Sequence, residues 1–110
     1  MSAALTTTPF AMKAALEAAE RAGERGEVPV GAALAGPDGR LVAVDGNRVE
    51  ERRDPTAHAE MLVVRAACNR LGTPRLVGFD LYVTLEPCPM CAQALAFARI
   101  RRLYYGAEDP

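Results

Sequence analysis

The feature that most restricts how this chain can fold is a strand, a helix and a strand in immediate succession near its C-terminal end. Phe79 to Leu85 is rich in β-branched and aromatic residues and reads as a strand. Pro89 then stands where a first helical residue belongs, opening a helix that reaches about Arg99, and Leu103 to Tyr105 forms a last short strand. A crossover of this kind makes its two strands parallel and its connection right-handed, so at least part of the sheet is parallel.

The preceding chain adds an antiparallel part. Val28–Ala35 and Leu41–Val44 are apolar runs separated by Gly36-Pro37-Asp38-Gly39, which reads as a hairpin turn. Thr8 and Pro9 read as the cap and first position of a helix whose apolar face runs from Phe10, Ala14 and Leu16 through Ala18, Ala19 and Ala22, with Gly23 and Gly26 ending it. Asn47 to Thr56 is polar and reads as a loop, and His58 to Leu71 as a mostly buried helix closed by Gly72. The fold class is therefore α/β, with a mixed central sheet covered by helices. With 110 residues, residues 1–110 are expected to make one domain.

Charge and cysteine usage narrow the setting. The 13 basic and 14 acidic side chains leave a formal charge of -1, so the total gives no general attraction for nucleic acid. Arginines do gather at Arg48, Arg52 and Arg53 and again at Arg99, Arg101 and Arg102, although such groups are commonly no more than solvated faces. Three cysteines, an N-terminus MSAALTTTPF without a basic start or a long apolar run, and no stretch near the roughly 20 apolar residues that a bilayer requires lead us to expect a cytoplasmic protein.

Two short segments carry the chemistry. Pro55-Thr56-Ala57-His58-Ala59-Glu60 and Glu86-Pro87-Cys88-Pro89-Met90-Cys91 each open a helix. Cys88 and Cys91 are three residues apart, so both face one side of their helix, and a helix N-terminus favours the thiolates that zinc binds. His58 is the only histidine, and Cys68 lies ten residues along its helix, about 15 Å away at the usual rise, so it reads as a core residue. One imidazole and two thiolates leave a fourth position open for water, as in catalytic zinc sites, unless a nearby carboxylate closes it. Glu60, two residues from His58, points elsewhere and is free to serve as a general acid and base.

His58-x-Glu60 together with Pro87-Cys88-x-x-Cys91 resembles the signature of the cytidine deaminase-like zinc hydrolases. The likeness extends over nearly the whole chain: Glu27-Val28-Pro29-Val30-Gly31, Asp54 to Glu60, Thr84-Leu85-Glu86-Pro87-Cys88, and Arg99-Ile100 with Tyr105-Gly106-Ala107 are similar to bacterial tRNA-specific adenosine deaminases. The resemblance implies the three-layer fold of that family and one Zn2+ per chain held by His58, Cys88 and Cys91, with Glu60 moving the proton. The implied reaction is hydrolytic deamination at C6 of a flipped wobble adenosine in a tRNA anticodon arm, giving inosine and ammonia. It further implies that Asn47 hydrogen-bonds the base, that Val28 and Pro29 line the pocket, and that the Ala59 N–H helps to hold the base. Arg48, Arg52, Arg53 and Asp109 are implied to lie near the RNA, and a homodimer is the expected assembly.

Two departures matter. Pro89 makes a Cys-Pro-Met-Cys similar to the guanine deaminase branch, which keeps a free nucleobase or nucleoside open as substrate. The family also continues beyond the position of Pro110 with a helix that packs on the sheet, so this sequence is expected to be C-terminally shortened, or completed by another protein, with self-association or reduced stability as the consequence. Two readings of other classes compete: a glutaredoxin-like thiol oxidoreductase using Cys88 and Cys91, and a zinc-stabilised binding module without turnover.

Overall fold

The computed structural model describes residues 9–106. In chain order these form α1 (Phe10–Glu24), β1 (Gly31–Ala35), β2 (Leu41–Gly46), α2 (Val49–Arg52), α3 (Ala59–Leu71), β3 (Asp80–Val83), α4 (Pro89–Phe97) and β4 (Arg102–Tyr105). The sheet runs β2-β1-β3-β4. β1 pairs antiparallel with β2 and β3, while β3 and β4 are parallel across the α4 crossover, with Asp80 opposite Arg102 and Val83 opposite Tyr105. The mixed sheet expected from the strand–helix–strand order is present.

β1 explains the layering. All five residues of Gly31-Ala32-Ala33-Leu34-Ala35 are buried, which requires cover on both faces. Ala33 packs with Ala11 and Ala15 of α1. Ala32 and Leu34, pointing the other way, join Val63 and Ala67 of α3 and Leu95 of α4. Helix, sheet and helices therefore form three layers. α1 comes unusually near the sheet because its inner face is alanine and the strands beneath it carry paired glycines, Gly31 opposite Gly46. A β-carbon on Gly46 would stand 2.6 Å from the Ala18 carbonyl oxygen, and one on Gly31 would overlap the backbone at Ala15 and Ala19.

Several boundaries differ from those read in the sequence, each for a local reason. The first strand begins at Gly31, not Val28, because the Val30 N–H turns back to the Val28 carbonyl at 2.8 Å across Pro29 and leaves no extended ladder there. The second continues to Gly46 to complete its pairing with Gly31. The polar Asn47–Thr56 loop contains the one-turn helix α2. The last helix stops at Phe97, and Arg99 adopts a left-handed φ of 64° that turns the chain into β4. Pro9 occupies the cap position of α1, and Thr8, read as its cap, lies outside the described residues.

Candidate metal centre

His58 is the N-cap residue of α3 and Cys88 the N-cap residue of α4, with Cys91 in the first turn of α4. Neither cap residue makes a side-chain capping hydrogen bond. Soluble helices ordinarily place Ser, Thr, Asp or Asn there to satisfy a free N–H. Here both caps point their side chains at one another instead. The Nδ1 of His58 lies 3.6 Å from the Cys88 sulfur and 3.5 Å from the Cys91 sulfur. The three ligand atoms all lie within 4.8 Å of one another.

These separations match what one ion demands. Ligands at the usual zinc distances for nitrogen and sulfur, set at tetrahedral angles, stand about 3.6 Å apart. The donor set of one imidazole and two thiols is also zinc's own chemistry, so the residues fit that metal.

The turn leading into His58 is built from its neighbours. Asp54 Oδ1 accepts from the Thr56 N–H at 2.8 Å and the Thr56 hydroxyl at 2.7 Å. The Ala57 carbonyl accepts the Arg48 N–H at 3.0 Å, which ties this turn to the end of β2. Asp54 is held below the usual carboxylate range chiefly by the Thr56 hydroxyl and N–H.

Electrostatics at the centre run against an isolated thiolate. Burial pushes the Cys91 thiol up, and the neighbouring Glu60 carboxylate adds to the effect. The helix N-terminus, expected to favour thiolates, does not outweigh removal from water. A divalent cation reverses that sign, so this thiol is suited to a metal and poorly suited to acting free. Glu60 is 4% exposed, and burial raises its pKa against the opposing effects of its own backbone N–H, the charge of His58 and a hydrogen bond with Cys91. A raised carboxyl pKa is what a proton-carrying acid needs near neutral pH.

His58, Glu60 and Cys88 line a cleft of about 580 Å³ together with Val28, Val30, Asn47, Val49, Pro55, Leu85 and Glu86. Asn47 and Val28 are among its lining residues. Pro29 is not: it is exposed, on the side toward Gly23 of α1, and Val30 takes the place expected for it. Ala59 also differs from expectation. Its N–H is given to Asn47 Oδ1 at 2.8 Å, so it orients Asn47 and is not available to a base. That bond fixes the Asn47 amide with its NH2 as the group left to face a ligand.

Of the arginines, Arg48 donates to Asp45 at 2.8 Å and Glu51 at 2.7 Å. Arg52 and Arg53 are exposed at the end of α2. Asp109 lies outside the described residues. Cys68 packs at the edge of the core, as expected, and does not belong to the ligand group. Sequence reasoning missed Val30, Val49, Pro55 and Leu85 as cleft walls. Three are ordinary apolar residues whose only signal was their nearness to the motifs.

The geometry agrees with comparison to known proteins. Residues 6–107 match the model of the cytidine and deoxycytidylate deaminase zinc-binding region. The chain belongs to this family. The dithiol oxidoreductase reading falls with that membership, since it also leaves His58 beside both sulfurs without a purpose. Among relatives, the tRNA-specific adenosine deaminase of Agrobacterium fabrum is 64% identical over 99 residues, covering 90% of this chain. The chain spans 64% of that relative's length, less than two thirds, and 66% and 65% of its counterparts in Aquifex aeolicus and Bacillus subtilis. A solved structure from work on tRNA:A34 deaminases superposes with a TM-score of 0.88 at 63% identity, covering 91% of this chain and 76% of the other. The guanine deaminase of Bacillus subtilis superposes with a TM-score of 0.87 at 38% identity, covering 94% and 66%.

Proposed function

We propose that this zinc-binding deaminase domain hydrolytically deaminates a nucleobase, the wobble adenosine of a tRNA anticodon arm. The observation that carries the reading is that His58 Nδ1 lies 3.6 Å from the Cys88 sulfur and 3.5 Å from the Cys91 sulfur, at a cleft that His58, Cys88 and the buried Glu60 line. The three side chains would hold one zinc ion. When bound, zinc supplies a Lewis acid that activates water at neutral pH. Glu60 takes a proton from the attacking water and delivers it to the departing amine, so adenine and water yield hypoxanthine and ammonia. Asn47 presents its NH2 to an acceptor atom on the base, and Val28 and Val30 contact its faces.

The cleft's charge supports a base over a free nucleotide. Glu27, Glu50, Glu60 and Glu86 line it, whereas no Arg or Lys is among the described lining residues. Phosphates are thus repelled from the interior and would remain outside, where Arg52 and Arg53 are exposed. The 64% identity to a tRNA-specific adenosine deaminase favours tRNA adenosine over guanine. Residues 1–110 would act as one domain in the cytoplasm, a reducing setting that suits three free cysteines. No helix of the described residues is long and apolar enough to cross a membrane. Self-association, as a homodimer, is supported by the exposed apolar side chains Phe97, Leu103, Tyr104 and Tyr105, and light scattering checks it.

Ammonia release across an anticodon stem-loop, guanine, cytidine and adenosine tests the assignment; turnover confined to guanine would replace it. Glu60→Ala is expected to lower turnover at least about a thousandfold with zinc retained. An unaltered function in that variant would instead identify a binding module.

A further inference from the structure

Glu27 takes no part in the chemistry described above, yet it is 6% exposed and lines the cleft. Its Oε1 accepts the Glu50 N–H at 3.0 Å and its Oε2 the Glu51 N–H at 2.8 Å. Both N–H groups belong to the first turn of α2, whose own cap residue, Arg48, provides no side-chain capping bond. A one-turn helix does not form on its own account, because nucleation is unfavourable. A buried carboxylate is likewise costly without donors. Each satisfies the other across 23 and 24 residues of sequence.

What Glu27 holds is the substrate side of the cleft. α2 starts two residues after Asn47, and Val49 and Glu50 are lining residues. Arg25 adds a second tie to the same segment, donating from Nη2 to the Asn47 carbonyl at 3.0 Å and lying 3.7 Å from Glu51. Burial opposes the Glu27 charge, but the N–H groups of Glu50 and Glu51 and the charge of Arg25 outweigh it, so its pKa is lowered and it is ionised at neutral pH.

We propose that Glu27 is a positioning residue whose carboxylate pins Asn47 to Arg53 in the shape that receives the base, so that it governs substrate capture and not the bond-breaking step. The inference rests on the reading of this cleft as a deaminase pocket. Its test compares zinc-loaded wild type, Glu27→Gln and Glu27→Ala by amide hydrogen exchange and by KM and kcat on the anticodon stem-loop. Glu27→Gln keeps the size of the side chain and keeps the experiment decisive if Glu27→Ala does not fold. The expected result is exchange at Glu50 and Glu51 at least about tenfold faster with the amides of α3 unchanged, KM raised about tenfold, kcat within about twofold, and zinc content unchanged. Unaltered exchange at Glu50 and Glu51, or a loss of kcat at constant KM, would overturn the proposal. If wild type deaminates nothing in the substrate panel, the functional reading fails, and exchange at Glu50 and Glu51 then decides the pinning by itself.

Discussion

His58 and Cys88 each occupy a position at which a capping side chain would stabilise a helix, and each is spent on ligation. The trade can be measured. His58→Asn supplies a favoured cap and removes a ligand, so zinc content should fall well below one per chain. In chelator, where the ligand no longer matters, the same variant should be more stable than chelated wild type by about 1 kcal/mol in urea unfolding. The pairing of these outcomes separates a metal ligand from a residue that only fills the start of α3. The motif residues themselves were legible in the sequence because their types are a zinc site's ligands and Cys88 and Cys91 stand three residues apart at a helix start. The occupation of the Ala59 N–H by Asn47, the turning of Pro29 toward α1 and the commitment of Arg48 to Asp45 and Glu51 were not, because each depends on a partner's orientation, which spacing does not encode.

Among the elements, the contact of α1 with the β1–β2 hairpin is the most sensitive to volume. Gly46→Ala places a methyl against the Ala18 carbonyl, a backbone atom that cannot rotate away, and should cost about 3 kcal/mol in chemical denaturation. The turn before α3 makes a pH-dependent contribution. Asp54 has a folded-state pKa below its ordinary 3.8, so the stability it adds is fully present above that value and is lost as pH falls through the lower, folded-state pKa. Asp54→Asn keeps an acceptor for Thr56 but cannot titrate, and its acid unfolding curve should fall less steeply than wild type below about pH 4. The larger elements were readable because their apolar runs are long, or because Pro marks a helix start and Gly a helix end. α2 was not, since its N–H groups are satisfied by Glu27 from beyond any local window.

At the scale of the whole molecule, α3 and α4 lie on the same face of the sheet and their first turns meet at His58, Cys88 and Cys91. A metal joining those turns adds its binding free energy to folding. Stripping zinc with a chelator should lower Tm by at least about 10 °C, read by calorimetry, with recovery on adding zinc back. A Tm insensitive to chelation would mean that the three side chains do not hold the ion in the folded protein.

The residue order alone determined the α/β class, the parallel crossover and the identity of three metal-suited side chains, because periodicity, helix starts and ligand chemistry are local properties. Tertiary structure decided the rest: that imidazole and sulfurs stand 3.5–3.6 Å apart, that burial of Cys91 overrides its helix terminus, and that Glu27 anchors α2. Those outcomes depend on exclusion of water and on partners distant along the chain, which exist only once the layers have packed.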